Sequence, residues 1–443
     1  MNPIQSWLKE HAVAEVECVI PDMNGNARGK FLPASKFGRG LKMPEGILIQ
    51  TILGEWPDEY DDLVDPADLD MVLEPDPSTV RAIPWNTEKT VVIVHDCYTK
   101  QGELHPLASR TVLRRVLAEF AADGLRPVTA PEMEFYLVSQ ESNAKYELQA
   151  PRGRSGRPEH ARQSYSIDAV NEFDDFIEAM YAFAEAQQLD LDTLIHEEGM
   201  AQFEVNFLHG DTLDLADQVF TFKRTAREAA LRNGMFATFM AKPLQHEPGS
   251  AMHVHQSLLD TATGTNVFVD AEGNRTERFR HYLGGLQKYL PAVMSLLAPN
   301  VNSYRRFSPD ELAPINFNWG FDNRTTALRV PDSEPQDTRI ENRLPGSDAN
   351  AYLAFAATLA CGLLGMRNAI EPGEPYVGSA HEAEFTMPRT LEEALRGLDS
   401  EPELLELIGP RFAQAFRAVK RAEYESFNQV ISTWEREHLL LNV

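Results

Sequence analysis

Four short segments of this chain carry ionisable or amide side chains at every second position. In Ala130–Leu137, Glu132, Glu134 and Tyr136 alternate with Met133, Phe135 and Leu137. In Ala201–Phe207 the alternating set is Gln202, Glu204 and Asn206, and Glu197 stands seven residues before Glu204. Ser250–Leu258 presents His253, His255 and Ser257, and Thr338–Pro345 presents Arg339, Glu341 and Arg343. A period of two is the strand repeat, so each segment puts its polar residues on one face and its apolar residues on the other. Taken singly, such a strand reads as the wet face of a half-buried sheet. Four together describe one polar cavity. Carboxylates and imidazoles in it would form oxygen-rich sites for Mg²⁺ or Mn²⁺. The arginines would grip phosphate or carboxylate. Cation sites beside anion clamps suggest phosphoryl transfer from a nucleotide. The sequence has no Walker A loop and no kinase signature, so the nucleotide must be held in another way.

The elements that position these strands can be read in outline. Val16–Ile20 and Val91–Val94 are β-rich, and Asn24-Gly25 is a hairpin signal. The Pro- and Asp-rich stretch from Trp56 to Pro84 reads as loops, in a small β-rich domain ending near residue 104. Val112, Leu113, Val116, Leu117 and Phe120 then recur at helical spacing before Gly124. Further helices are expected over 170–188, 213–233, 275–298, 348–370 and 410–437, with one starting at Thr390, where Glu393 completes a capping box. The second region, 105–443, is therefore α+β. Pro151–Arg162 is basic inside an acidic protein and reads as a mobile surface loop.

Composition narrows the partners. Lys and Arg total 41 against 67 Asp and Glu in 443 residues, a net charge of −26. Such a surface repels nucleic acid and anionic membrane and favours metal ions and cationic ligands. The length suggests two or three domains. Cys18, Cys97 and Cys361 are too scattered for a disulfide framework or a zinc knuckle. Leu353–Met366 is the most apolar run but too short to span a bilayer. The N-terminus lacks the apolar stretch of a signal peptide. These features lead us to expect a soluble cytoplasmic protein.

The segments PEMEF, EEGMAQFEVNF, GSAMHVHQS, NSYRRFSPDELAP, NRTTALRV and RIENRLPGSDANAY, in that order, resemble the glutamine synthetase superfamily over nearly the whole chain. The resemblance implies an N-terminal β-grasp domain (1–104) and a catalytic domain (105–443) of sheet plus helices. It also implies a homo-oligomer, typically a dodecamer of two hexameric rings, with sites between neighbouring subunits. Glu134, Glu197 and Glu204 match the ligands of an acceptor-side metal. Glu132, His253 and Glu341 match those of the metal on the nucleotide phosphates, with two to three Mg²⁺ or Mn²⁺ ions expected per site. His255, Ser257, Arg329 and Arg339 match ATP-contacting positions. Gly249, Arg306 and Arg343 match the glutamate pocket. Arg324 matches the arginine at the transferring phosphoryl group, where Arg339 is also expected to act. In the family's reaction, ATP phosphorylates the γ-carboxylate of glutamate and a nitrogen nucleophile then displaces phosphate.

The pattern departs from ammonia-using members. Leu312 stands where they carry a glutamate that closes over ammonium, although Glu311 is adjacent. Gln50 stands where their N-terminal domain supplies an aspartate, and Pro248 replaces an Asn before Gly249. A buried ammonium needs anionic partners, so Leu312 and Gln50 leave a less anionic pocket that can admit an alkylamine. Trp56, in the acidic segment GEWPDEYDD, is a further candidate for that pocket. Phe385 replaces the tyrosine that is adenylylated in relatives. The expectation is an ATP-dependent ligase joining glutamate to a diamine or polyamine, with the amine itself left open. An ammonium-using glutamine synthetase is the alternative, ahead of a non-catalytic sensor or structural ring.

Overall fold

Asn24-Gly25 turns the chain back as that dipeptide predicts. Gly25 takes a φ of +76°, and β1 (Glu15–Pro21) and β2 (Ala27–Pro33) pair antiparallel on either side of it. The structure is a computed structural model and describes residues 3–38, 40–141, 147–309 and 312–443. β3 (Leu41–Pro44), β4 (Asp70–Pro75), β5 (Arg81–Ile83) and β6 (Thr90–Tyr98) complete a six-stranded sheet ordered β2-β1-β6-β4-β3, with β5 on β6. β1 and β6 run parallel. β4 and β5 fall within the 56–84 stretch expected to be loop. β4 does alternate, burying Met71 and Leu73 between Asp70, Val72 and Glu74, but the prolines around so short a strand give its surroundings the composition of a turn.

The chain then enters the helix Ser109–Ala122 and a second sheet. This comprises β7 (Leu125–Ser139), β8 (Leu191–His196), β9 (Gln202–Phe207), β10 (Gly210–Asp211), β11 (Met235–Thr238), β12 (Met252–Asp260), β13 (Trp319–Phe321), β14 (Leu328–Val330) and β15 (Ile340–Asn342). Its order is β13-β14-β15-β12-β7-β9-β8, with β10 and β11 also on β7. Met133, Phe135 and Leu137 are fully buried, as their alternation requires, against a core of aromatic residues that includes Phe176, Phe203, Phe222 and Phe239. The chain is thus mixed α and β, with helices packed on sheets.

The helices match the sequence reading in place but not always in length. Ala351–Arg367 is buried from Ala351 to Gly365, and Thr212–Arg232 is continuous. The helix expected over 275–298 leaves α geometry after Tyr289, where Pro291 forces a 3₁₀ turn. That expected over 410–437 divides into Pro410–Asn428 and Thr433–His438, the second opened by a capping box of Ser432 and Glu435. At Thr390 the side chain caps Glu393, but the Glu393 carboxylate returns to the Arg389 amide, so the box is displaced by one residue.

One side chain ties the first sheet to a helix packed beside the second. Arg110 of Ser109–Ala122 donates to Asp96 on β6 at 2.6 Å, to Asp76 at 2.7 Å and to Asp217 of Thr212–Arg232 at 2.8 and 3.0 Å. A buried guanidinium surrounded by carboxylates in this way has its charge compensated and its donors satisfied. The three cysteines are free and buried. Among the described residues, no helix is long and apolar enough to cross a membrane.

Candidate active site

Strand register brings the alternating residues into rows across the second sheet. His253 on β12 stands opposite Glu132 on β7, which stands opposite Asn206 on β9. One step along, Glu134 faces Glu204. On the other side, His255 faces Glu341 on β15, and Glu341 faces Arg329 on β14. Because side chains two apart share a face, these rows converge on a single polar surface.

Three groups on it have ligating atoms within 4.8 Å of one another: Glu134, Glu197 and Glu204; Glu132, Glu204 and His253; and Glu132, His255 and Glu341. The first is the acceptor-side trio expected from the sequence. The expected trio of Glu132, His253 and Glu341 is in contact through His253, whose Nδ1 lies 3.1 Å from Glu132 and 3.7 Å from Glu341. The structure adds His255 to that set, with its Nε2 3.0 Å from Glu132.

Burial and crowding set the charges. Burial, reinforced by Glu197, pushes the Glu134 carboxyl up to about 8. Glu204 is raised well above the ordinary range by burial and then by Glu132, Glu134 and Glu197. Burial raises Glu197 as well. Burial also opposes ionisation of Glu132, but hydrogen bonds from His253 and His255 outweigh it and hold its carboxyl far below the usual value. Burial of Glu341 is likewise overcome by Arg343, His255 and His253, leaving it at about 2. His253 is lowered to about 4 by burial and by Arg343. Several carboxylates that cannot all ionise together, with the His253 imidazole held in its uncharged form beside them, are a donor set that divalent cations fit.

Two cavities meet at Glu132. One, of about 820 Å³, is lined by Glu132, Glu134, Glu197, Glu204 and His253 and also by Gly249, Arg306, Leu312, Arg324, Arg329 and Arg343. The other, of about 750 Å³, is lined by Glu132, His255, Ser257 and Arg339. The expected residues are therefore brought together, apart from Gln50 and Trp56, which line neither cavity within the single chain. Glu341 lies beneath, fully buried. Glu311, the neighbour of Leu312, lies outside the described residues.

The arginines differ in how they are held. Arg329 is fixed by Glu341 at 2.7 Å and by Asp322 at 2.6 Å. Arg343 pairs with the other oxygen of Glu341. Arg339 donates to His255 at 3.1 Å. Arg306 is buried, and its Nη groups donate to the carbonyls of Arg343 and Leu344, both at 2.7 Å. Arg324 is exposed and forms no ion pair among the described residues. A Cβ at Gly249 would lie 2.6 Å from Arg306 Cγ and 2.7 Å from the Ala241 carbonyl, so no side chain fits there. Pro248 uses its carbonyl to accept the Tyr136 hydroxyl at 2.7 Å.

Sequence reasoning missed Tyr165 and His381, which also line the larger cavity. Neither belongs to an alternating strand, so periodicity carries no trace of them. Gln202 was noted by its face alone, yet it is a junction: its amide nitrogen donates to the Gly249 carbonyl at 3.0 Å and to Ser250 at 3.2 Å. The basic segment 151–162 is less free than a surface loop. Arg154 pairs with Asp174, and Arg162 pairs with Glu198.

Comparison with known proteins finds a family model, curated relatives and a solved structure that match this chain. Residues 106–439 match the family model of the glutamine synthetase catalytic domain. Gamma-glutamylputrescine synthetase PuuA of Escherichia coli is 34% identical, over 96% of this chain and 92% of its own. The glutamate–isopropylamine ligase of a Pseudomonas species is 32% identical over 98% and 96%. A glutamine synthetase of Pyrococcus abyssi is 31% identical over 96% and 92%. The solved structure of apo GmaS superposes with a TM-score of 0.85 at 29% identity, covering all of both chains.

Proposed function

The chain belongs to the glutamine synthetase family, and from that premise we propose that it is an ATP-dependent γ-glutamyl-amine ligase acting on a diamine or polyamine. The observation that carries the reading is Leu312. It is 56% exposed and lines the cavity that also holds Glu197 and Glu204, so an apolar side chain stands at the position that the family resemblance gives to an ammonium-closing glutamate. Two relatives whose names state an alkylamine substrate support it.

In this reading Arg343 and Arg306 hold glutamate, and the missing side chain at Gly249 lets Arg306 and the Ala241 carbonyl pack against the loop. Arg306, with both Nη groups on carbonyls, contributes charge and fixes Arg343. Ser257, Arg329, Arg339 and His255 hold the ATP phosphates. An oxygen of the γ-carboxylate attacks the terminal phosphorus and ADP leaves. Arg324 and Arg339 stabilise the transferring charge. The neutral amine then attacks the activated carbonyl carbon, phosphate departs with the bonding electrons, and the surplus proton of the nitrogen passes to the departing phosphate. Glu134, Glu197 and Glu204, and Glu132 with His253, His255 and Glu341, would hold divalent cations. Such cations, when bound, supply charge neutralisation for the transferring phosphoryl group.

We extend the proposal to a division near residue 104 between a β-grasp domain and the catalytic domain. A ring oligomer is part of the same proposal, with Gln50 and Trp56 serving a neighbouring copy. Ile52, Leu53 and Trp56, all exposed in the single chain, support it. The deciding experiment is phosphate release from ATP and glutamate with a panel of nitrogen donors. Release with diamines or polyamines exceeding that with ammonium is expected. Preference for ammonium over every amine would favour a glutamine synthetase, the reading to which the archaeal relative lends weight.

A further inference from the structure

A short turn, Thr51–Glu55, separates Gln50 from Trp56, and it is closed on itself. The Thr51 amide donates to the Glu55 carbonyl at 2.8 Å, and the Gly54 amide to the Thr51 carbonyl at 3.0 Å. The Glu55 amide donates to the Thr51 hydroxyl at 3.0 Å, and Gln50 Nε2 to the Gly54 carbonyl at 2.7 Å. Gly54 takes a φ of +84°, a conformation open to glycine at little cost. Residues bonded in this way move as one piece, so a hold on any part of the turn sets the direction of the whole.

That hold comes from the other end of the chain. Glu423 of Pro410–Asn428 accepts from the Ile52 amide through Oε1 at 2.7 Å. The same oxygen accepts from Asn24 Nδ2 at 3.1 Å, and Oε2 accepts from Lys420 at 2.8 Å. Lys420 is fully buried and also donates to Asn24 Oδ1. Asn24 is itself fixed. Its amide and that of Asn26 donate to the Asp22 carboxylate at 2.9 and 2.8 Å, and Asn350 donates to the Asp22 carbonyl at 3.0 Å. A carboxylate with three donors on it, one of them a buried ammonium, is an anchor of defined geometry. Yet Ile52, Leu53 and Trp56 are exposed, and Gln50 and Trp56 line neither cavity of their own chain. The anchored turn therefore presents a fixed surface to something outside the chain.

We propose, on the ligase and ring readings above, that Glu423 is a positioning residue for the nitrogen donor's site. It aims the Thr51–Glu55 turn, and with it Gln50 and Trp56, at the active site of a neighbouring copy. The C-terminal helix of one copy thereby tunes the amine site of the next without touching any substrate. Removing the Glu423 carboxylate frees the turn to swing as a unit, while the carboxylates and arginines of the second sheet keep their partners.

The test uses Glu423→Ala, Glu423→Gln and Lys420→Met in the full-length enzyme, with steady-state kinetics for ATP, glutamate and a diamine. Glu423→Ala should raise the diamine KM about ten-fold, the loss of one charge-assisted hydrogen bond. Its KM values for ATP and glutamate and its oligomeric state should match wild type. Glu423→Gln keeps an acceptor for the Ile52 amide and should stay within about two-fold of wild type for the diamine. Lys420→Met removes a buried partner of Glu423 but spares the bond to Ile52, so it should lower the melting temperature and leave the diamine KM near wild type. In a co-expressed mixture of Glu423→Ala and Glu134→Ala, the first subunit keeps its catalytic site and the second its anchored turn. A fraction of the mixed sites should then recover the wild-type diamine KM. An unchanged diamine KM in Glu423→Ala, an equal rise in all three variants, a dissociated ring or no recovery on co-expression overturns the inference while leaving the ligase reading intact. A wild type fully active as a monomer overturns the ring reading and this inference together. Preference for ammonium over every amine overturns the diamine reading, and the ammonium KM of the same variants then decides the role of Glu423.

Discussion

Glu132 and His253 face each other across β7 and β12, with Oε2 and Nδ1 3.1 Å apart, and His255 reaches the other oxygen of the same carboxylate at 3.0 Å. One glutamate therefore joins two imidazoles two residues apart on the neighbouring strand.

Replacing this carboxylate tests the cation sites. Glu132→Ala and Glu134→Ala should each abolish turnover and weaken Mn²⁺ binding while the far-ultraviolet circular dichroism stays native. Substantial residual activity in either variant would remove these residues from the site. Exhaustive chelation of the wild type should stop phosphate release, and Mg²⁺ or Mn²⁺ should restore it.

The raised carboxyls make a pH prediction. Glu134 sits at about 8 against an ordinary value of 4.5, and Glu204 and Glu197 are shifted upward as well. Between these values the folded state holds protons that the unfolded chain has released. Their contribution to stability is therefore complete below the ordinary value and is lost as pH rises through the folded one. The melting temperature of the chelated protein should fall as pH rises from about 6.5 to about 8, above the ordinary value of His253 and His95, whose lowered folded values oppose the fall at lower pH. Saturating Mg²⁺ or Mn²⁺, which take the place of those protons, should remove most of the fall. A melting temperature that climbs over this range in chelator would contradict the assignment.

The arginines should separate by substrate. Arg343→Ala is expected to raise the glutamate KM and Arg339→Ala the ATP KM. A charge-assisted hydrogen bond is worth about 1.5–3 kcal/mol, or roughly ten- to a hundred-fold. An effect of Arg343→Ala confined to ATP would reverse the two roles.

Trp56 donates its indole N–H to the Gly46 carbonyl at 3.1 Å and stands edge-on to Tyr60, yet is 51% exposed. If it serves the amine site of a neighbouring copy, Trp56→Ala should raise the diamine KM several-fold and leave those for ATP and glutamate nearly unchanged. Equal changes in all three would make it a structural residue of its own loop.

Gly249→Ala forces an atom within 2.7 Å of the Ala241 carbonyl. Overpacking of this kind costs about 1–3 kcal/mol, and here it also displaces Arg306. Lower thermal stability together with a higher glutamate KM is expected, and a variant indistinguishable from wild type in both would show that the loop yields.

The polar faces were legible in the sequence because period-two alternation survives in a half-buried strand. Glu134 and Glu204 follow from it directly. Which strands pair, and hence that His255 meets Glu132 as well as Glu341, depends on register across residues far apart in the chain, and no local pattern encodes that. Tyr165 was invisible for a different reason: its placement comes from a left-handed backbone whose amide donates to the His196 carbonyl. The short strands β4 and β5 were hidden by flanking prolines, and Pro291 was passed over because the apolar residues around it keep helical spacing.

Glu132 belongs to the walls of both cavities. A ligand that alters the charge or the hydrogen bonds of this carboxylate from one side changes what the other side meets. Any such effect is bound by reciprocity: the free energy by which a nucleotide assists or hinders the amino acid must equal that by which the amino acid assists or hinders the nucleotide. In the proposed reaction the order in which the two substrates load would be a matter of rates, and Glu132, a partition shared by both cavities, is where their thermodynamic coupling would be felt.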